Sequence, residues 1–327
     1  MAKTLKDLVG DFVKPDLIEL QKAINTGASS AGDIIQPELE PELQNQVYLA
    51  YPFYTWMKSM GLVSGTRSNK PSYLKKLTGG AGGFIAEGGN LTSATDSTYD
   101  MLTGDMTTWN FGIEITDQMI KGGQDSIVDI VQQEIEDGME AHYADVDNGM
   151  LTGDGTSYTM TGLQSLVTTN TENMNGDEIT DKFQLDSMVQ DIMDAGGRPS
   201  ALVTSGNVKS QLESVLYPNI NISLTPKLNV GFQEGGVTFG YQATQYDSPV
   251  GPIPIIVDPH MPTTTDQQRI IFPDARTLRL KYLQEPAIKN LAETKLTVPQ
   301  VLYSFQSFYC RAENWNGQIY GIGTKTA

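Results

Sequence analysis

The most sustained pattern of apolar positions begins at Ile127 and continues through Ile130, Val131, Ile135, Met139, Tyr143, Val146, Met150 and Leu151. Steps of three and four place these residues on one face of a helix, and the positions between them are mostly Asp, Glu and Gln. Asp125 and Ser126 are candidate N-caps. The run LTGDGT (Leu151 to Thr156) ends the helix, with Gly153 and Gly155 free to take left-handed backbone angles. About 25 residues at ~1.5 Å each give a rod of ~37 Å, long enough to serve as a backbone for other elements. Just before it, MTTWNFGIEIT alternates as a half-buried strand does and turns at Asp117.

Around the rod the texture changes several times. Residues 1 to about 45 have one short apolar stripe (Leu5, Leu8, Val9, Phe12), broken by Pro15, and then a run of small residues, Pro and acid. Such an arm buries too little to fold alone. Val47 to Val63 is dense in aromatics and reads as core, with Pro52 starting or breaking a helix. Residues 64–105 hold three short alternating segments, SYLKKL, GFIAEG and STYDML, between Gly, Ser, Thr and Asn clusters. They predict a two-stranded excursion with little core material of its own. After the rod, TGLQSLV reads as a short strand or loop and NTENMNGDEITD as a polar link. A helical stripe follows (Phe183, Leu185, Met188, Val189, Ile192, Met193), then a buried strand SALVTS and a second helix carrying Val208, Leu212, Val215 and Leu216. GVTFGYQAT, GPIPIIVD, RIIFPD and TLRLKYLQ read as strands, and two aromatic-rich strands close the chain. The whole is an α+β pattern without a fixed-period repeat.

Composition narrows the functional classes. The chain has 327 residues, 39% hydrophobic, and no window approaching eighteen uninterrupted apolar residues, so no membrane span is expected. A formal charge of −17 argues against tight sequence-independent nucleic-acid binding, which needs Lys and Arg against phosphate. The N-terminus has no apolar h-region of a signal peptide. The single cysteine, Cys310, excludes an internal disulfide and falls in an apolar strand pattern, as a small core residue.

Catalytic chemistry leaves little trace in the sequence. His142 and His260 are the two histidines, neither in an HExxH or HxH arrangement, so no metal or other cofactor is expected. His142 lies at the inward face or edge of the rod and reads as a packed histidine. GGAGG (79–83) lacks the helix and Lys of a phosphate loop, and no GxSxG elbow occurs. Asp145-Val-Asp147-Asn-Gly149 starts like a calcium loop but lacks the later acidic ligands.

The succession of elements is more informative than any motif. GGFIAEGG with the strand up to IEITDQMI, the rod ending in GMLTGDGTSYTMTGLQSL, and ALVTSGNVKSQLESVLYPN resemble the major capsid proteins of tailed phages and related viruses. The resemblance covers roughly residues 45–325. It implies the Hong Kong 97-type capsid fold: an N-arm at 1–45, an E-loop at 64–105 and an A domain at 180–290. A P domain would comprise 46–63, 106–179 and 291–327, with its spine helix at 124–151. It further implies a non-enzymatic chain that assembles with itself into pentamers and hexamers of an icosahedral shell around double-stranded DNA. Such a chain would reside in the virion, and in the host cytoplasm during assembly. Portal, scaffold or decoration proteins would be its other partners, with no sequence-specific DNA contact and no membrane. No scaffolding domain is expected before the arm.

Within that picture Arg67, Lys70, Lys75 and Lys76 of the excursion are expected to meet Glu134, Glu136 or Asp137 on a neighbour's rod. Some relatives crosslink an E-loop Lys to an Asn with help from a Glu; Asn290 and Glu293 are the right residue types, but no crosslink is inferred. Three alternatives remain in view. An encapsulin-like nanocompartment shares the fold, but the long arm counts against it. A soluble α/β enzyme would need a nucleophile and base that the sequence does not offer. An adhesin of Gly/Thr-rich strands would need an export signal.

Overall fold

Pro52 takes the first position of helix α1 (Pro52–Ser59), where its missing N–H is no loss and its fixed φ suits helix entry. The computed structural model describes residues 50–80, 82–89, 96–122, 130–156, 158–216, 245–292 and 295–324. After α1 come β1 (Val63–Gly65), β2 (Ser72–Thr78), β3 (Thr98–Thr103) and β4 (Thr107–Thr116). Helix α2 (Asp117–Gly122) begins at the expected turn, and α3 (Ile130–Thr152) is the rod. The candidate caps Asp125 and Ser126 lie outside the described residues. Then follow α4 (Leu163–Leu166), β5 (Asn170–Asn173), α5 (Lys182–Asp194), β6 (Leu202–Thr204) and α6 (Gly206–Leu216). The chain closes with β7 (Gln245–Ser248), β8 (Gly251–Val257), β9 (Gln268–Phe272), β10 (Leu278–Asn290), β11 (Thr297–Cys310) and β12 (Gly317–Ile322).

The strands form three sheets: one of four in the order β1-β10-β11-β4, one of six in the order β5-β12-β9-β6-β8-β7, and the isolated pair β2-β3. Helix α3 packs along the four-stranded sheet. Its Val146, Met150 and Leu151 join Phe53, Met57, Leu163, Leu280 and Phe308 in one buried cluster. The second cluster sits under the six-stranded sheet, where Leu185, Met188, Val189 and Ile192 of α5 and Val208 and Leu212 of α6 meet Leu202, Ile270, Phe272 and Ile319. At about 25 cal/mol per Å² of apolar area, these two clusters dominate the stability of the fold. Among the described residues no helix is long and apolar enough to cross a membrane.

Several expectations are corrected here. Phe183 is 70% exposed, not part of the α5 stripe. It stands two residues, about 200° of helical turn, from Leu185, and so faces the opposite side. NTEN is not a link: it is the edge strand β5, parallel to β12, and its polar composition suits an edge. TGLQSLV contains a single helical turn, α4. GFIAEG is no strand, and Phe84 is fully exposed. The strand expected at GVTFGYQAT lies outside the described residues. Strand pairing also crosses the expected boundary at residue 290: β10 lies in the four-stranded sheet with β11, whereas β12 joins the six-stranded one.

The turn after α3 shows two different uses of glycine. Gly155 has φ +72°, the left-handed angle expected. Gly153 does not need such an angle; it needs to lack a side chain, because a Cβ there would overlap the Met160 and Gly149 carbonyl oxygens. The Gly162 N–H closes onto the Gly153 carbonyl at 2.8 Å, leaving the loop no room to move outward. Gly153→Ala is therefore expected to cost about 2 kcal/mol or more, as overpacking against rigid backbone does. Urea unfolding of the unassembled subunit measures it, and a loss below ~0.5 kcal/mol, within the range of neutral surface changes, would contradict the packing argument.

Candidate functional site

Among the described residues the β2-β3 ribbon is mostly exposed along both strands. Its register sets Leu74 opposite Met101 and Lys76 opposite Tyr99 on one face, and Tyr73 opposite Leu102 and Lys75 opposite Asp100 on the other. The second face is anchored at the ribbon's base. Tyr73 stacks on Tyr309 with ring centroids 5.1 Å apart and donates its hydroxyl to the Cys310 carbonyl at 2.9 Å. Gly104, where a Cβ would press on Ser307 and Tyr309, accepts close approach at the same place. Among the described residues the first face has no cover: Leu74 is 75% exposed, Met101 and Tyr99 each 64%. A two-stranded ribbon with an open apolar face is marginal by itself, which makes this surface the candidate for contact.

The charged residues expected to make that contact are placed as follows. Arg67, Lys70 and Lys76 are exposed and Lys75 is half-buried. None of the four forms an ion pair with another described residue. Glu134, Glu136 and Asp137 lie in the first half of α3, with Glu136 exposed and the other two half-buried. Glu136 and Asp137 accept hydrogen bonds from Gln132 and Gln133 one turn earlier, at 2.8 and 2.9 Å. The two sets of charges are not joined within the chain among the described residues.

Sequence reasoning missed a second feature. Asp147, on the buried face of α3, meets Asp258 and His260 beyond the end of β8. Both carboxylates are fully buried, and His260 Nδ1 lies 3.2 Å from Asp147 Oδ2 and 3.1 Å from Asp258 Oδ1. Their other oxygens accept backbone N–H groups of the first turn of α1: Asp147 Oδ1 from Tyr54, and Asp258 Oδ2 from Phe53 at 3.4 Å. Helix α1 has no cap from its own N-cap residue, so two distant carboxylates supply the cap and favour the helix dipole. Burial pushes the Asp147 carboxyl up, against the hydrogen bond from His260. Burial works the same way on Asp258, but hydrogen bonds from His260 and with Asp147 outweigh it and hold its carboxyl down. The two carboxylates raise the His260 imidazole to about 9. Asp147 and His260 are 113 positions apart, beyond any spacing motif. The available signals are an Asp inside an apolar helix stripe and Asp-Pro-His directly after a buried strand.

His142 is packed, as its position in the rod suggests. It is fully buried, 4.7 Å from the Trp109 ring, with Tyr282 Oη 3.5 Å from Nε2 and Ser304 Oγ 3.4 Å from Nδ1. Cys310 is buried too, and burial pushes its thiol up.

The sequence profile of the SU10 major capsid protein family matches residues 29–323. The chain belongs to this family. No curated protein matches it. The fold is of the Hong Kong 97 type. The capsid of a native GTA particle is similar with TM-score 0.68 at 12% identity, over 91% of this chain and 99% of that one. Gordonia phage Cozz is similar with TM-score 0.62 at 13% identity, over 92% and 95%. The holo-SrpI encapsulin complex from Synechococcus elongatus PCC 7942 is similar with TM-score 0.61 at 8% identity, over 91% and 96%. These identities carry the fold alone, and the family assignment makes the chain a virion capsid subunit.

In this SU10-family subunit the burial of His142 generates a pH dependence. Desolvation lowers its imidazole from 6.5 to about 4. The unfolded state therefore binds the extra proton, so the contribution is complete above pH ~6.5 and lost as pH falls towards 4. Over that window wild type should lose roughly 3 kcal/mol more than His142→Gln, whose side chain does not titrate. Denaturant unfolding of unassembled subunits at pH 7, 5.5 and 4.5 tests this, and equal slopes for the two proteins would refute it.

Proposed function

We propose that this major capsid subunit assembles into pentamers and hexamers of an icosahedral shell around double-stranded DNA, with the β2-β3 ribbon as its principal reach onto a neighbour. The open face of Leu74, Tyr99 and Met101 carries this reading. Each such side chain, once covered, contributes about 1.5–3 kcal/mol, and many copies of a moderate contact add up to a stable shell. In this reading the ribbon with its flanks (64–105) is the E-loop, α3 is the spine, and 1–45 is the arm. Residues 46–63, 106–179 and 291–327 make the P domain, and 180–290 the A domain, with β10 at its end pairing into the sheet of β11 and β12 returning to the six-stranded sheet. Arg67, Lys70, Lys75 and Lys76 face Glu134, Glu136 and Asp137 of the adjacent rod. Assembly takes place in the host cytoplasm, with portal, scaffold or decoration proteins as further partners. The subunit's role is structural and not catalytic, and a net charge of −17 keeps the shell from adhering to the packaged genome.

The encapsulin likeness supports a protein-filled shell only at the level of fold. Particle contents separate the two: nuclease-protected double-stranded DNA in native particles is expected, and packaged enzyme without DNA would overturn the viral reading.

The ribbon contact is tested by two double variants, Lys75→Glu with Lys76→Glu and Leu74→Ser with Met101→Ser. Both sets of side chains sit outside the core clusters, so the subunit should fold normally by circular dichroism. Negative-stain microscopy and light scattering should show particle yield reduced tenfold or more, since ~1.4 kcal/mol per contact already changes an association constant tenfold. Unchanged yield in the charge variant would remove the Lys–acid pairing, and unchanged yield in both would remove the ribbon as the neighbour contact.

A further inference from the structure

We propose that Asp147, Asp258 and His260 form a binding site for one divalent transition-metal ion of the zinc, manganese or cobalt class. The site is separate from the ribbon and does not rest on the assembly reading. Its ligand atoms come from three elements: the core face of α3, the end of β8, and the turn that follows it. They all lie within 4.8 Å of one another.

Three observations support an ion at their centre. The first is spacing. His260 Nδ1 stands 3.2 Å from Asp147 Oδ2 and 3.1 Å from Asp258 Oδ1. Ligands held ~2.0–2.2 Å from a common ion at tetrahedral or octahedral angles are separated by about 2.8–3.6 Å. A single imidazole N–H, by contrast, points in one direction and cannot serve both oxygens well.

The second is orientation of the carboxylates from outside. Asp147 Oδ1 is held by the Tyr54 N–H, and Asp258 Oδ2 by the Phe53 N–H at 3.4 Å. Asp258 Oδ1 also accepts the His260 N–H at 2.9 Å, which ties the histidine's backbone to the carboxylate its ring approaches. Outer hydrogen bonds of this kind fix ligating carboxylates in place. They leave Asp147 Oδ2 and Asp258 Oδ1 turned towards the imidazole.

The third is charge. Both carboxylate side chains are fully buried while the His260 side chain is 21% exposed. An empty cluster has to hold protons to approach neutrality, whereas a dication with a neutral histidine balances both carboxylates and takes the place of those protons. His260 is the one member of the three with an exposed side-chain edge. One nitrogen with two carboxylate oxygens suits zinc, manganese or cobalt better than calcium or magnesium, which take oxygen donors. A bound ion would join α1, α3 and the exit of β8 at one point.

The test uses the full chain, stripped with EDTA and titrated with CoCl₂ in excess MgCl₂, which occupies scattered surface carboxylates. One Co²⁺ per subunit is expected, with a visible d–d spectrum that ZnCl₂ abolishes and a melting temperature raised by Co²⁺ or Zn²⁺ and lowered again by EDTA. His260→Gln, at a partly exposed position that should still fold, is expected to weaken Co²⁺ binding tenfold or more and to lose the spectrum. Asp147→Asn should do the same; if that variant fails to fold, His260→Gln decides alone. No saturable Co²⁺ binding above the Mg²⁺ background would overturn the proposal. An unchanged spectrum in His260→Gln would place the ion elsewhere and overturn it equally.

Discussion

A two-stranded ribbon has two faces and only one body to lie on, and this constraint governs how the subunit must live. Tyr73 and Gly104 press the base of the β2-β3 pair onto Tyr309, while Leu74, Tyr99 and Met101 stay exposed beside the other described residues. The apolar area is instead left for another molecule, and a chain belonging to a capsid family has identical neighbours to supply it. A ribbon this weak as an isolated element is the kind that a neighbour's contact would complete.

The body that carries the ribbon must resist the load such contacts impose. Its two sheets are joined where the chain passes from β11 to β12, and Asn316 sits in that passage, fully buried. Its amide donates to Thr277, Cys310 and Ala312 at 3.2, 3.1 and 2.9 Å, and its oxygen accepts from the Asp274 N–H at 2.8 Å. Asp274 in turn receives the Arg198 N–H and pairs with Arg276, whose guanidinium lies 4.7 Å from the centre of the Trp315 ring. On the other side Asp147 and Asp258 cap α1 from α3 and β8. Buried polar groups are costly unless satisfied, and when satisfied they allow one arrangement only. Here they occupy the seams between layers, where apolar packing alone would permit sliding.

Much of this is legible in the sequence wherever the signal is local and periodic. The rod, Pro52 at a helix start, the alternating strands on both sides and the Gly-rich excursion all follow from spacing within a dozen residues. Local pattern misleads where a longer-range term decides. Phe183 lies within reach of a helical stripe by composition, yet its angle on α5 sends it to solvent. β5 has the composition of a loop and is a strand because β12, far along the chain, offers it a parallel edge. Gly153 has the sequence context of a left-handed turn, but the closeness of Met160 is what requires it. The Asp147–Asp258–His260 cluster escapes the sequence for the same reason: its members are adjacent only after α3 and β8 have packed.

The contrast has a physical meaning for shell proteins. An assembly surface can be read as what is missing, a segment with too little core to fold alone, and such absence is visible in composition. A buried polar seam is read as what is out of place, a carboxylate inside an apolar stripe, and its partners are set by topology. The first kind of signal marks the excursion, while the succession of elements and the profile match place the chain among capsid subunits. The second kind locates the points where the subunit's own layers are fixed to one another. A ribbon that grips a neighbour transmits force only if its base cannot shift. The base is held by β11, β11 pairs with β4 in unbroken register and with β10 across two register shifts, and α3 lies over that sheet with Asp147 tied to α1 and to the turn after β8. The open face of the ribbon and the polar joint at Asp147 are thus linked through one continuous series of packed elements.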